Sequence, residues 1–366
     1  TFKMSNLGIY IHVPFCAKKC PYCDFYSTSY TSANMKGYIQ ALIRNFKAYT
    51  TDIPVDTVYF GGGTPSLISG QQLGLIIEEL KNSFHINEDA EITIEANPST
   101  IDFDKLFEYR KAGINRLSVG VQSMKKTELD FLGRQHTPER AEKAVKDAHS
   151  AGFENISCDL MTGLPNQTIS DISHSIERLA ELNIAHISSY ILKVEEGTRF
   201  HIDGIIEKLP DDDYISGLYL EMCDILSSYG YKQYEISNFA KNNFQSRHNN
   251  RYWKCEDYLG IGPAAHSCYN GIRFAVKPEL DDFIASPKQN IEITDSNPYT
   301  FEEMAMLKLR LSEGLALSEC GDKADSIIKK TDMLIKNGYI TFDGKKIALT
   351  SKGFMVSNSI IEYLIF

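Results

Sequence analysis

The sequence predicts an α/β fold built on a parallel sheet, and two observations carry that expectation. Six short β-rich runs alternate with helical patterns through the first half of the chain, and the conspicuous polar residues sit at the C-terminal ends of those runs. Repeated strand and helix units imply parallel strands joined by right-handed crossovers, in a sheet that either stays open or curls into a full or partial barrel. Ligands of such sheets gather at the C-terminal mouth of the strands, so the polar strand ends should converge on one site.

The strands read in order as GIYIHVPF (8–15), TVYFGGG (57–63), EITIEAN (91–97), RLSVGVQ (116–122), ISCDLMTG (156–163) and HISSYILKV (186–194). Helical periodicity fills the intervals at 34–49, 71–84, 138–152 and 168–183, several of these segments closing on Gly or Asn as stop signals. The strands end on Gly62 and Gly63, Glu95, Gln122 and Asp159. After residue 195 the rhythm changes: acidic LPDDDY leads into a helical run at 215–230, and the dense stretch RHNNRYWKCEDYLGIGPAAHS follows at 247–267. This is either a second module or an extension of the first sheet. From about 298, helical patterns at 301–315 and 323–338 and a hairpin at 339–353 with an Asp343-Gly344 turn suggest a small winged-helix-like α+β domain. The expected divisions are thus 1–200, 201–297 and 298–366. The last unit mixes acidic with basic residues, which favours a packing or interaction role over DNA binding.

A formal charge of −10 over 366 residues argues against nucleic acid as the main ligand. No apolar stretch is long enough to span a bilayer, and the opening TFKMSNLGIYIHV runs straight into a strand without a signal peptide, so the chain reads as cytoplasmic and not as an integral membrane protein. In that compartment the eight cysteines are expected to be reduced. Five of them, Cys158, Cys223, Cys255, Cys268 and Cys320, are scattered and read as ordinary buried thiols.

The other three, Cys16, Cys20 and Cys23, stand at CxxxCxxC spacing directly after the first strand. A structural zinc site wants four protein ligands, which His12 or Asp24 could complete, whereas three thiolates on a 4Fe-4S cubane leave one iron open to a small bidentate ligand. Glycines after the second strand let backbone approach a ligand closely. Glu95 and Asp159 can accept hydrogen bonds from an amino group or from ribose hydroxyls, and Arg134 can pair with a carboxylate. The cysteine loop resembles that of the radical SAM superfamily, which implies a cluster-bound S-adenosylmethionine (SAM) cleaved, on reduction, to methionine and a 5'-deoxyadenosyl radical.

The resemblance tightens with YIHVPFCxxxCPYCDF, YFGGGTPS, IEANP, RLSVGVQS, LGRQHT, DLMTGLPNQT and HNNRYWKCEDYLGIGPAAHS in that order. From about residue 8 to the C terminus the chain is similar to the oxygen-independent coproporphyrinogen III oxidase-like family. That resemblance implies a partial (β/α)6 TIM-like barrel and a C-terminal domain partly covering its mouth. It also implies cluster ligation by Cys16, Cys20 and Cys23, with Tyr10 and Tyr22 lying against SAM. Gly62, Gly63 and Thr64 would hold the methionyl amino group, and Glu95, Gln122, Arg134 and Asp159 the remaining polar groups. Two departures point away from decarboxylation: Phe25 stands where the oxidase pattern CxxxCxxCxC has its last cysteine, and only fifteen residues precede Cys16. With HNxxYW they resemble the heme chaperone branch, whose members bind heme and deliver it to haemoproteins such as respiratory enzymes. On that resemblance His248 is the expected axial ligand of heme iron, Tyr252 and Trp253 pack on the macrocycle, and His266 is a second candidate ligand. The competing expectations are a porphyrin-biosynthetic decarboxylase, the oxidase itself, and a radical SAM methyltransferase.

Overall fold

The first strand, Leu7–Val13, is buried along both faces because helices cover one side of the sheet and the other side encloses the interior. Leu7, Ile9, Ile11 and Val13 join the hydrophobic core, while the alternate residues Tyr10 and His12 line an internal cavity. The computed structural model of the chain describes residues 6–366; residues 1–5, the start of the lead read as free of a signal peptide, lie outside the described residues.

Five further strands follow in sequence order and in parallel: Thr51–Gly62, Phe84–Ala96, Arg116–Gln122, Asn155–Thr162 and His186–Ile191. Their register brings Glu95 opposite Ser118 and Asp159 opposite Ser188 at the C-terminal ends. The crossover helices start on good caps. Thr31, Thr137 and the capping boxes Ser69/Gln72 and Thr168/Asp171 open the helices Ser32–Ala48, Pro138–Ser150, Gly70–Ser83 and Ile169–Glu181, each cap being worth about 1 kcal/mol.

Both edges of the sheet are extended by residues 201–297. Tyr258–Ile261 pairs in parallel with the first strand, and His266–Tyr269, Ile272–Val276 and Ile291–Asp295 continue antiparallel beyond it. At the opposite edge Asn238–Ala240 pairs antiparallel with His186–Ile191 and carries Lys232–Gln233. The two ends of this twelve-stranded sheet do not pair with each other among the described residues, so the barrel is partial and keeps a seam. No helix among the described residues is long and apolar enough to cross a membrane.

The C-terminal unit has a three-stranded antiparallel sheet, in the order Leu315–Ala316, Lys346–Leu349, Ile340–Phe342, flanked by short helices. The expected helix at 323–338 is in fact two, Ala324–Lys329 and Thr331–Lys336. The buried Thr331 turns its hydroxyl back to the Ile328 carbonyl at 2.8 Å, a local bond that competes with helix continuation. The helix expected over 301–315 stops at Lys308, and the chain returns as the strand Leu315–Ala316. Four of the scattered cysteines are buried and Cys255 is half-buried; all eight thiols are free.

The HNNRYW motif lies on the helix Arg247–Trp253. Ser246 caps it, and the Glu91 carboxylate accepts the backbone N–H groups of Arg247 and His248 at 3.1 Å each, an anion at a helix N-terminus. Arg251 bolts the helix to the barrel. Its guanidinium is 2 % exposed, pairs with Asp56, donates to Thr57 Oγ1 at 3.1 Å, and reaches the carbonyls of Asn6 at 2.8 Å and Asp257 at 3.1 Å. Arg251→Leu strands Asp56 and three acceptors, and is expected to cost about 3 kcal/mol in urea unfolding, with part recovered by adding Asp56→Leu. A loss well under about 1 kcal/mol would show that the pair does not hold this helix in place.

Candidate cofactor and cargo site

The cysteine loop leaves the first strand through the short pairing of Phe15–Cys16 with Thr28–Ser29, which closes residues 17–27 into a protrusion over the mouth. Cys23 N–H donates to the Cys20 carbonyl at 3.2 Å, and the segment beyond the sixth strand braces the turn, with Phe200 N–H on the Pro21 carbonyl at 2.9 Å and its ring 6.2 Å from that of Tyr22. All three thiols are half-buried. Among the described residues no three His, Cys, Asp or Glu groups converge as ligands of a single ion, and a cubane offers each thiolate its own iron. Two donors already address these sulfurs: Thr64 Oγ1 lies 3.5 Å from Cys16 Sγ, and Arg134 Nη1 lies 3.6 Å from Cys20 Sγ.

Gly62 and Gly63 let the second strand run against this loop backbone to backbone. Gly62 has φ +108° and a side chain there would meet the His12 ring at 2.7 Å; a side chain on Gly63 would meet the Phe15 carbonyl at 2.6 Å. Hydrogen bonds from Gly63 N to Val13 O at 2.9 Å and from Thr64 N to Phe15 O at 2.7 Å seal the contact. At the end of the fourth strand Gln122 takes φ +71°, where the ladder with the fifth strand shifts register, and Arg134 donates to the Gly120 carbonyl beside it. A left-handed non-glycine residue at a strand end is strain of the kind held at binding sites.

Glu95 accepts the Tyr59 hydroxyl at 2.8 Å, and enclosure pushes its carboxyl up to about 7, against the pull of that bond. Asp159 is likewise raised by burial, countered by hydrogen bonds from Ser188 and Ser118 and by the charge of Arg116. Arg116 itself is buried beneath the mouth, and its Nε and Nη1 have no hydrogen-bond partner among the described residues. All the expected cluster and SAM residues except Tyr10 line one cavity of about 490 Å³: the three cysteines, Tyr22, Gly62, Gly63, Thr64, Glu95, Gln122, Arg134 and Asp159. The donor set suits an iron–sulfur cluster and a zwitterionic ligand, with thiols, backbone at close approach, two carboxyls and a guanidinium.

A second, larger cavity of about 800 Å³ spans the seam of the barrel. Its walls come from the extensions at both edges of the sheet, with Tyr258 and His266 on one side and Ile236 to Asn238 on the other. Tyr10 faces this cavity, not the SAM-sized one, its ring 6.2 Å from Tyr59 and its hydroxyl 3.2 Å from His12 Nδ1. Asp24, Phe25, Glu95 and Tyr190 line both cavities and form the wall between them. Phe25, the residue in place of a fourth cysteine, is 62 % exposed at that junction.

His248 does not reach the larger cavity. It is fully buried, with Nδ1 2.9 Å from Thr57 Oγ1 and Nε2 2.9 Å from the Tyr252 hydroxyl. Arg251 Nε can only donate to Thr57, which leaves the Thr57 proton for Nδ1, so the bonding pattern assigns the ring proton to Nε2. Burial, with Arg251 and Arg116 nearby, pushes this imidazole down to about 3, and neither nitrogen is left for iron. The residue expected as axial ligand is here engaged by Thr57 and Tyr252, and the Tyr252 ring, with Trp253 and Asn249, does line the cavity. His12 is also engaged, through Tyr10 and, at 3.0 Å, the Tyr26 carbonyl. His266 is exposed, lines the cavity and has no side-chain hydrogen bond among the described residues. Sequence reasoning missed Tyr59, Tyr190, Glu235 and Arg310. Tyr59 was within reach, since it stands opposite Tyr10 in the strand register, but Arg310 carries no local signal.

Comparison with known proteins agrees with this geometry. The Radical SAM superfamily model matches residues 10–179, and that of the HemN C-terminal domain matches residues 300–356. The chain is 35% identical to the heme chaperone HemW of Escherichia coli (strain K12), covering 98% of each chain. It is 32% identical to HemW of Bacillus subtilis (strain 168), over 96% of this chain and 97% of that one. Among solved structures, coproporphyrinogen III oxidase (HemN) from Escherichia coli superposes with a TM-score of 0.81 over 98% of this chain and 90% of its own, at 24% identity, a likeness of fold. With near-complete coverage at this identity, the chain belongs to the radical SAM superfamily, in the family of the heme chaperone HemW.

Proposed function

We propose that this chain is a heme chaperone: it seats heme in the larger cavity, keeps a 4Fe-4S cluster and SAM in the smaller one, and passes heme to acceptor haemoproteins in the cytoplasm or at a membrane face. The observation that carries this reading is the seam cavity, about 800 Å³, walled by tyrosines and Trp253, offering one unengaged imidazole and sharing a wall with the cysteine-lined cavity. Its size and mixed aromatic and polar lining suit a large planar ligand. His266 is the residue placed to ligate the iron. The curated relatives that share nearly the whole chain bear the name heme chaperone. Cys16, Cys20 and Cys23 would hold the cluster, which would supply reducing chemistry beside SAM. The chain's own part is to hold the three thiolates, offer Glu95, Asp159 and Arg134 to the polar groups of SAM, and separate the two ligands by Phe25 and Tyr190.

Anaerobic titration with hemin is expected to show one equivalent bound with a sharpened Soret band. His266→Ala should weaken that binding about tenfold or more and shift the spectrum, while His248→Ala, read below its unfolding temperature, should keep it. Absence of stoichiometric binding, or loss of the spectrum only in His248→Ala, would reverse the assignment.

Glu95 gives a second check. A carboxyl whose folded pKa is raised to about 7 contributes stability below its unfolded pKa that is lost as pH rises through about 7. In protein without cluster or SAM, Glu95→Gln is expected to unfold near the wild-type temperature at pH 5 and several degrees above it at pH 8. The same variant should bind SAM about tenfold more weakly in cluster-loaded protein; a flat comparison across pH would remove Glu95 from this role.

A further inference from the structure

The larger cavity is short of positive charge. Asp24, Glu95 and Glu235 face it, and among its lining residues the one guanidinium is Arg310, with no lysine beside it. A heme carries two propionates, so a cavity with this acidic bias needs a cation wherever a carboxylate is to rest. Resting on the heme reading above, we propose that Arg310 anchors a heme propionate, which makes the C-terminal unit a direct part of the cargo site.

Arg310 is held ready for such a partner and lacks one. Its guanidinium carbon lies 5.9 Å above the Trp253 ring, and Nη2 donates to Asn358 Oδ1 at 3.2 Å. Nε is buried and has no hydrogen-bond partner among the described residues, an unmet donor that calls for an explanation. Glu235, the neighbouring carboxylate, feels the Arg310 charge but forms no ion pair with it among the described residues; its Oε1 is taken by Ser237 N–H at 3.1 Å and by the Asn238 amide. The backbone fixes the position from both sides. Leu311 bridges to Glu235, and Ser312 N–H donates to the Tyr234 carbonyl at 2.9 Å, so the residue is pinned at the seam. A guanidinium braced on an indole, with Nη1 making no hydrogen bond among the described residues, suits a charge-assisted bond to a carboxylate, a seat on the aromatic face that lysine does not reproduce.

Hemin and hemin dimethyl ester, which lacks free carboxylates, separate this assignment from the rest of the site. Full-length wild type is expected to bind hemin about tenfold more tightly than the ester. Arg310→Gln should lower hemin affinity to that of the ester and leave ester affinity unchanged, and Arg310→Lys should recover only part of the difference. Equal affinity for the two ligands in a wild type that binds hemin stoichiometrically overturns the Arg310 assignment alone, as does an Arg310→Gln variant that loses both ligands equally. A wild type that binds neither overturns the heme reading and the anchor together.

Discussion

The architecture around both cavities depends on one buried guanidinium. Arg251 is almost wholly removed from water, so its charge must be met from within, and it is met by Asp56, Thr57 and two carbonyls that belong to the first and second strands or lie beside them. Its bonds to Thr57, Asp56 and Asn6 span 194, 195 and 245 positions of sequence. Once the helix Arg247–Trp253 is fixed there, Tyr252 and Trp253 must face the interior, and the chain beyond must add Tyr258–Ile261 to the first strand. His248 belongs to the same arrangement. Its two hydrogen bonds orient Tyr252 from behind, with Glu91 steadying the helix start.

The partition between cavities follows from the period of a strand. Tyr10 and His12 point inward because Ile9 and Ile11 point to the helices, and their depth in the first strand sets them under the mouth, in the larger cavity. The cysteines lie beyond the strand end, over the smaller one. Glu95 and Tyr190 stand between, so a change of charge on one side of that wall is felt on the other. A low-polarity enclosure makes such coupling stronger than it would be in water.

The alternating strands, the capped helices and the cysteine spacing were legible because each is a local pattern, a period or a short interval that the residues themselves display. So was most of the smaller cavity, since strand-end residues of a parallel sheet meet by necessity. The larger cavity was not. Its walls come from residues 10, 59, 190, 236, 252, 266 and 310, which no local period relates. The engagement of His248 was hidden for the same reason: a histidine in a polar motif looks available until Thr57, nearly two hundred residues earlier, is seen beside it. The broken helix at Lys330 and the early stop at Lys308 turn on Thr331 and on the return strand at Leu315, tertiary choices that override a continuous helical pattern.

The seam has a mechanical consequence. A fully closed barrel fills its interior with side chains and resists opening, because widening it anywhere breaks a ladder of backbone hydrogen bonds. Here the sheet's two ends meet no ladder among the described residues, and the C-terminal unit is tied beside the gap by the backbone bridge of Leu311 to Glu235. The wall is therefore most compliant along the line where the large cavity opens.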